Sequence, residues 1–545
     1  MNRKFAYLAI IVVVVGAVIG GLFGRMPTRI AAGSSVTSDR VESDYREALK
    51  VIDDNYVGNV DHEKTTDSSM QAMLWTLDPH SSFFSSEELK KLDEEQSSQF
   101  YGIGVSILQH RDGVYVQSIV PGTPADKAGL RYGDRIMSVD GKDAKDWTSS
   151  EVSKNVRGER GTSVHVQVER VGAQTPLEFD ITRGGVPLPS IRNYFMLPNG
   201  VGYVGLTGGF QQTTSDELTE SINELKKRGM KSLILDLRGN PGGILEEAVA
   251  VVSKFIPAGQ TVVSIKSSRN GDFRDMKAIG GSVENVPLVV MMNSGSASAS
   301  EIVAGAIQDY DRGVIVGTDS FGKGLVQHVY RLPYSTGMTL TTARYYTPFG
   351  RSLQRDYSSG SIYDYYTHGE DSPDNADVDN KPKPVGSPVT AANGRVLYGG
   401  RGIEPDVVVQ PQKFDALRGR LNESAFYFTR QLVAGKIAGF ENMKADKQSF
   451  KTALQPNEFA ISDKLYDAFK AFTAADAKAG LTAANIDSQG DYAKSRLREE
   501  IATATDSQEA GVQVLLETDP QIAKAVEVIP QASGLVARAN TDPVK

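Results

Sequence analysis

Between residues 200 and 410 the apolar positions follow two alternating rhythms. Short apolar runs at 201–206, 232–237, 286–292 and 313–316 have the length and continuity of buried strands, and 326–332 reads as a further strand. Between them lie stretches with helical spacing at 215–228, 243–255 and 298–310. In the last, Ala299, Ile302, Val303, Ala306 and Ile307 make one face of a helix. Strands and helices in this order predict a mainly parallel α/β core, spanning 185–410.

The flanks read differently. Residues 36–97 form an N-terminal helical region, with one apolar stripe at Val41, Tyr45, Ala48, Leu49, Val51, Ile52 and Tyr56. A second stripe runs through Met70, Met73, Leu74 and Leu77 and stops at Asp78-Pro79. Its simplest role is packing on a neighbour or on a second copy of the chain. Residues 98–184 carry strands at 100–105, 114–120 and 163–169, a short helix at 149–156, and glycine turns between them. The polar stretch 369–395 reads as a loop. Beyond 411 the chain is helical in pattern and carries no readable motif.

Composition narrows the classes. With 40% hydrophobic and 23% charged residues among 545, the chain is ordinary globular material. The net charge of −8, with no basic run interleaved with aromatics, argues against nucleic acid as a partner. There is no cysteine, which excludes disulfides and a thiol nucleophile, and the six histidines have no metal-ligand spacing. Neither a metal nor a cofactor is expected. At the N-terminus Arg3-Lys4 precede an uncharged stretch, 5–24, long enough to cross a ~30 Å hydrocarbon core. Residues 1–30 therefore read as an uncleaved signal anchor, with the rest exported to the periplasmic side. A cleaved signal peptide is the alternative.

The chemistry centres on Ser298 and Lys323. Ser298 falls on a strand-to-helix turn, where a hydroxyl can attack a carbonyl while backbone N–H groups face the oxyanion. The same Ser298-Ala-Ser-Glu301 run also fits a helix capping box. Lys323 stands between glycines, an isolated amine suited to act as the base for a serine. A second glycine-rich turn, Gly239-Asn-Pro-Gly-Gly243, follows the strand at 232–237 and could add an oxyanion donor. On a regular strand Lys323, Leu325 and Gln327 would share one face. To work near neutrality the lysine must fall from ~10.4 to roughly 7–8, a cost of about 4 kcal/mol that burial can supply. His328, a rival base, points to the opposite strand face, and Asp236 and Asp309 read as structural partners.

These residues carry a resemblance. Leu77-Asp-Pro-His80, Asp236-Leu-Arg-Gly-Asn-Pro-Gly-Gly243, Gly295-Ser-Ala-Ser-Ala-Ser-Glu301, Gly322-Lys-Gly-Leu-Val-Gln327, Tyr346-Thr-Pro348 and Gly400-Arg-Gly-Ile-Glu-Pro-Asp406 resemble the carboxyl-terminal processing, or tail-specific, proteases of the S41 serine peptidase family. The run from Pro124 to Gly141 resembles a PDZ domain. The resemblance implies a multidomain α/β protein whose crotonase-like protease core carries an inserted, β-rich PDZ domain. It makes Ser298 the nucleophile, Lys323 the base and Gln327 its orienting partner. Oxyanion donors would be the N–H of Ala299 and of Gly242 or Gly243, the choice remaining open.

In a PDZ domain the nest for a peptide carboxylate would be Tyr101, Gly102, Ile103 and Gly104. Arg183, at the domain junction, resembles a border arginine that couples peptide occupancy to the lysine–glutamine pair. The expected activity is a membrane-tethered serine endopeptidase acting on proteins held by their C-termini, with a homodimer or higher oligomer as the expected assembly. A PDZ scaffold with an inactive core, and a crotonase-like acyl-CoA enzyme, are the alternatives.

Overall fold

The computed structural model describes residues 37–267, 273–358, 365–366 and 386–541. The expected anchor at 1–30 and most of the loop at 369–395 lie outside them. Among the described residues, no helix is long and apolar enough to cross a membrane. Residues up to Met70 form one compact unit and Gln71 onward another. In the first, the helix Ser38–Asn55 buries none of its residues. Its stripe residues Val41, Tyr45, Val51 and Ile52 are exposed.

The second unit is built around a six-stranded sheet in the order 191–197, 201–206, 232–236, 288–292, 314–317, 407–408. The first pair is antiparallel and every later pair parallel. Unbroken apolar runs in a parallel sheet require cover on both faces, and both are covered. Leu288, Val290 and Met292 face the helices Thr214–Lys227, Leu245–Val252 and Ala299–Asp309. Val289 and Met291 face Leu516, Ile522, Ala525 and Val528 from the C-terminal helices. The region after 411 thus supplies half of the core's cover. One expectation fails: Leu325–Arg331 does not join the parallel sheet. It pairs antiparallel with Gly337–Tyr346 in a separate five-stranded sheet that also holds 82–84, 261–266 and 273–277.

The β-rich domain places Val114, Val116, Ile136, Val164, Val166 and Val168 in a core of its own, under the helix Ser149–Val156. Its outer face is gripped by C-terminal helices. His110 stacks on Phe426 at 3.8 Å, and Arg430 donates to the Gly133 carbonyl at 2.7 Å. Tyr132 donates to Glu500 at 2.8 Å.

Candidate active site

Two turns from neighbouring parallel strands are stitched side by side. Gly239 N–H donates to Asn293 Oδ1 at 2.9 Å, Ala297 N–H to the Asn240 carbonyl at 3.0 Å, and Ser300 Oγ to that same carbonyl at 2.9 Å. Ser298 ends the second turn with φ 55° and ψ −112°, a conformation that costs a non-glycine residue about 1–3 kcal/mol. The Glu301 N–H bonds to the Ser298 carbonyl at 2.9 Å, and the Ser298 N–H returns to the Glu301 carboxylate at 2.8 Å. The Ser298 side chain also faces the phenol of Tyr345, which itself donates to the Lys323 carbonyl.

Glu301 is the residue that the sequence pattern undervalued. Its carboxylate is fully buried and accepts four donors. Oε2 takes the N–H of Ser298 and of Lys323, each at 2.8 Å. Oε1 takes the Ser320 hydroxyl at 2.5 Å and the Gly322 N–H at 2.7 Å. The capping-box signal reported only the Ser298 half of this knot. Gly402 closes it: a Cβ there would lie 2.4 Å from Ser320 Oγ and 3.0 Å from Glu301 Oε1. Burial pushes the Glu301 carboxyl up to about 7 against those hydrogen bonds.

Lys323 sits half-buried in the loop ahead of the strand. Loss of hydration lowers its pKa below the ordinary lysine value, outweighing the opposing charges of Glu301 and Asp78. Asp78 is itself bound into a turn, accepting from His80 N–H at 2.8 Å, Ser81 N–H at 2.9 Å and Ser81 Oγ at 2.7 Å.

Gln327 stands differently from the expectation. The strand begins at Leu325, and its pairing slips by one residue between Val326 and Gln327, so the alternation counted from Lys323 is broken. The Gln327 amide donates to Thr341 Oγ1 at 3.1 Å. His328 is exposed and packs edge-on against Tyr330. Asp309 pairs with Arg351 at 2.6 Å and Asp236 with Arg238 at 2.7 Å, as structural partners.

The two glycines of the first turn differ. Gly242 N–H donates to Asn240 Oδ1 at 2.9 Å. With φ 99°, its missing Cβ leaves room for Ser298, whose Cβ would otherwise be 2.7 Å away. Gly243 bridges Phe210, whose N–H and carbonyl bond to Gly242 and Ile244 respectively. That register turns the Gly243 N–H away from Phe210.

Residues 200–365 match the model of peptidase family S41, and 102–181 that of the PDZ domain. A carboxy-terminal-processing protease of Bartonella bacilliformis is 30% identical over 454 residues, 81% of this chain and 92% of the relative. The chain belongs to the S41 family of carboxy-terminal-processing proteases. The carboxy-terminal processing protease CtpA of Bacillus subtilis is 31% identical over 353 residues, 65% of this chain and 75% of that one. Among solved structures, a photosystem II D1 C-terminal processing protease is 28% identical, covering 69% of this chain and 94% of its own, with a TM-score of 0.35. The chain is therefore a C-terminal processing serine protease with a PDZ domain.

In this S41 protease the expected carboxylate nest divides. Tyr101 and Gly102 pair with Gly185 and Gly184, while Ile103 and Gly104 link that short strand to the next. Gly104 has φ 89°, and a Cβ there would strike Thr123 at 2.3 Å. The strand Val105–His110 pairs on one side with Gly113–Ile119 and forms the edge of its sheet. Arg157, which the sequence reading missed, stacks over Phe100 at 4.1 Å and packs beside Gly102. Arg183 is turned into the PDZ domain. Its guanidinium donates to the carbonyls of Asn155 (2.9 Å), Val156 (3.1 Å) and Ser163 (2.9 Å), and to Thr162 Oγ1 (3.0 Å). None of these acceptors belongs to the Lys323–Gln327 segment.

Proposed function

We propose that the chain is a membrane-tethered, extracytoplasmic endopeptidase that grips a protein C-terminus in its PDZ groove and cleaves with a Ser298–Lys323 dyad. The neutral Lys323 amine takes the Ser298 proton as Oγ attacks the peptide carbonyl. The resulting ammonium then protonates the leaving amine, and water repeats the cycle on the acyl-enzyme. The observation that carries this reading is the Glu301 carboxylate, whose single oxygen receives the backbone N–H of both residues. The lowered Lys323 pKa supports the base role.

The Ala299 N–H, first of its helix, and the Gly243 N–H are the oxyanion donors in this scheme. Gly243 is preferred because the Gly242 N–H already has an acceptor. Gln327 is assigned at most an indirect part, through Thr341, whose N–H meets Ser81 Oγ at 3.2 Å. For substrate docking, the open edge of Val105–His110 fits an added peptide strand, and Arg157 brings positive charge to the nest. The anchor rests on the apolar stretch 5–24 behind Arg3-Lys4.

The test compares a peptide bearing a free C-terminal carboxylate with its C-terminal amide. A fall in kcat/KM of at least about tenfold for the amide is expected, about 1.4 kcal/mol. Ser298→Ala should turn over neither. Equal rates for the two peptides would remove C-terminal docking from the account.

A further inference from the structure

His80 lies outside the dyad, yet a chain of hydrogen bonds leads to it from the residue next to Lys323. Gly324 N–H donates to Gln354 Oε1 at 2.9 Å, which fixes the orientation of that amide. Gln354 Nε2 then donates both its protons, to the Arg355 carbonyl at 2.9 Å and to the Tyr365 phenol oxygen at 3.0 Å. Tyr365 Oη, which accepts from Gln354, lies 2.6 Å from His80 Nε2, and we assign its O–H as the donor in that contact. An imidazole that accepts at Nε2 carries its proton on Nδ1 and is neutral.

The ring is buried, with Tyr365 at 5.2 Å, and Phe321 and Tyr366 each at 6.1 Å, centroid to centroid. Arg355 roofs Phe321 and Tyr365 at 4.1 and 4.2 Å. Close approach of these segments depends on Gly324, where a Cβ would lie 2.7 Å from the Gln354 nitrogen.

We propose that His80 is a positioning residue for the base: the relay Gly324–Gln354–Tyr365 holds it as a neutral imidazole in an aromatic wall that keeps water from the Lys323 amine. The charges facing Lys323 are Glu301 and Asp78, and those facing His80 are Lys323, Asp78 and Arg355. Tyr345 touches the Lys323 carbonyl, and Tyr365 and Tyr366 complete the titratable neighbours. Burial first, and the Lys323 charge second, hold His80 down at about 3. A second cation beside the lysine is thereby avoided at any pH where the enzyme would work.

This inference rests on the dyad reading, and the experiment separates the two. The rate of fluorophosphonate inactivation of the full chain is followed against pH for wild type, His80→Ala, His80→Phe and Lys323→Ala, with melts to confirm folding. Admitting water should move the rising limb of His80→Ala to higher pH by about one unit, a tenfold loss on the limb well below the midpoint. His80→Phe, dry and uncharged, should restore the wild-type midpoint. His80→Asn replaces the alanine variant if that variant does not fold. An unmoved midpoint in the folded small variant, or a phenylalanine variant displaced equally far, overturns the wall. A Lys323→Ala protein that keeps the rising limb would instead sink the dyad, whatever His80 does.

Discussion

Ser298 and Lys323 donate their backbone N–H groups to the same oxygen atom, Oε2 of Glu301, each at 2.8 Å. The helix start and the Lys323 loop are thereby fixed to one buried point. Glu301→Gln cannot satisfy all four donors, because its NH2 must face at least one N–H group. One buried donor without an acceptor costs about 1–3 kcal/mol. The variant should therefore fold with a lower Tm and lose at least tenfold in kcat/KM. Unchanged activity would show that the shared carboxylate does not set the dyad geometry.

The pH dependence follows from two groups of opposite sign. Lys323 titrates below its unfolded value of 10.5, so between the two values the unfolded chain binds the extra proton and stability rises with pH. Glu301 is raised from 4.5 to about 7, so across that window the native state binds the extra proton and stability falls as pH rises. Under the proposed dyad both deprotonations help activity: Glu301 must accept its donors and Lys323 must be neutral. The kcat/KM profile should climb from near 7 with no descending limb from either group, and a chelator should leave it unchanged. A fall in rate just above neutrality would contradict this assignment.

The paired glycines separate function from folding. At Gly242 an added Cβ would press on the Ser298 Cβ at 2.7 Å and occupy φ 99°. At Gly243 it would enter the Phe210 carbonyl at 2.2 Å. Gly242→Ala should remain soluble and lose activity about a hundredfold, displacing the nucleophile. Gly243→Ala should lower the melting temperature far more. The opposite order of melts would refute this division.

Arg183 distinguishes two roles. Its donors hold the carbonyl end of the helix Ser149–Val156, where a cation also meets the favourable end of the helix dipole. Arg183→Ala should weaken peptide binding to the PDZ domain along with turnover. Lost turnover with peptide affinity retained would restore the coupling role expected from sequence.

The central strands were legible because 201–206, 232–236, 288–292 and 314–317 are mostly apolar runs, as burial on both faces demands, whereas the edge strand 191–197, with Arg192 and Asn193 in it, was not. What covers the second face was not, since Ile522, Ala525 and Val528 sit in a region without a motif. Ser298 stands out as a candidate through the change of period at one turn, and Lys323 through its flanking glycines. The Thr341 partner of Gln327 could not be read, because a one-residue slip in strand pairing leaves no mark on the sequence. His80 and Tyr365 meet across 285 positions, and nothing local signals that encounter.

Ser298 is proposed as the nucleophile and the half-buried Lys323 as its base. Intact-mass and peptide mapping after fluorophosphonate treatment, repeated across pH, tests it most directly. One adduct on Ser298 is expected, forming faster as pH rises, absent in Ser298→Ala and slowed at least a hundredfold in folded Lys323→Ala. An adduct on another serine, or wild-type labelling of Ser298 without Lys323, would contradict it.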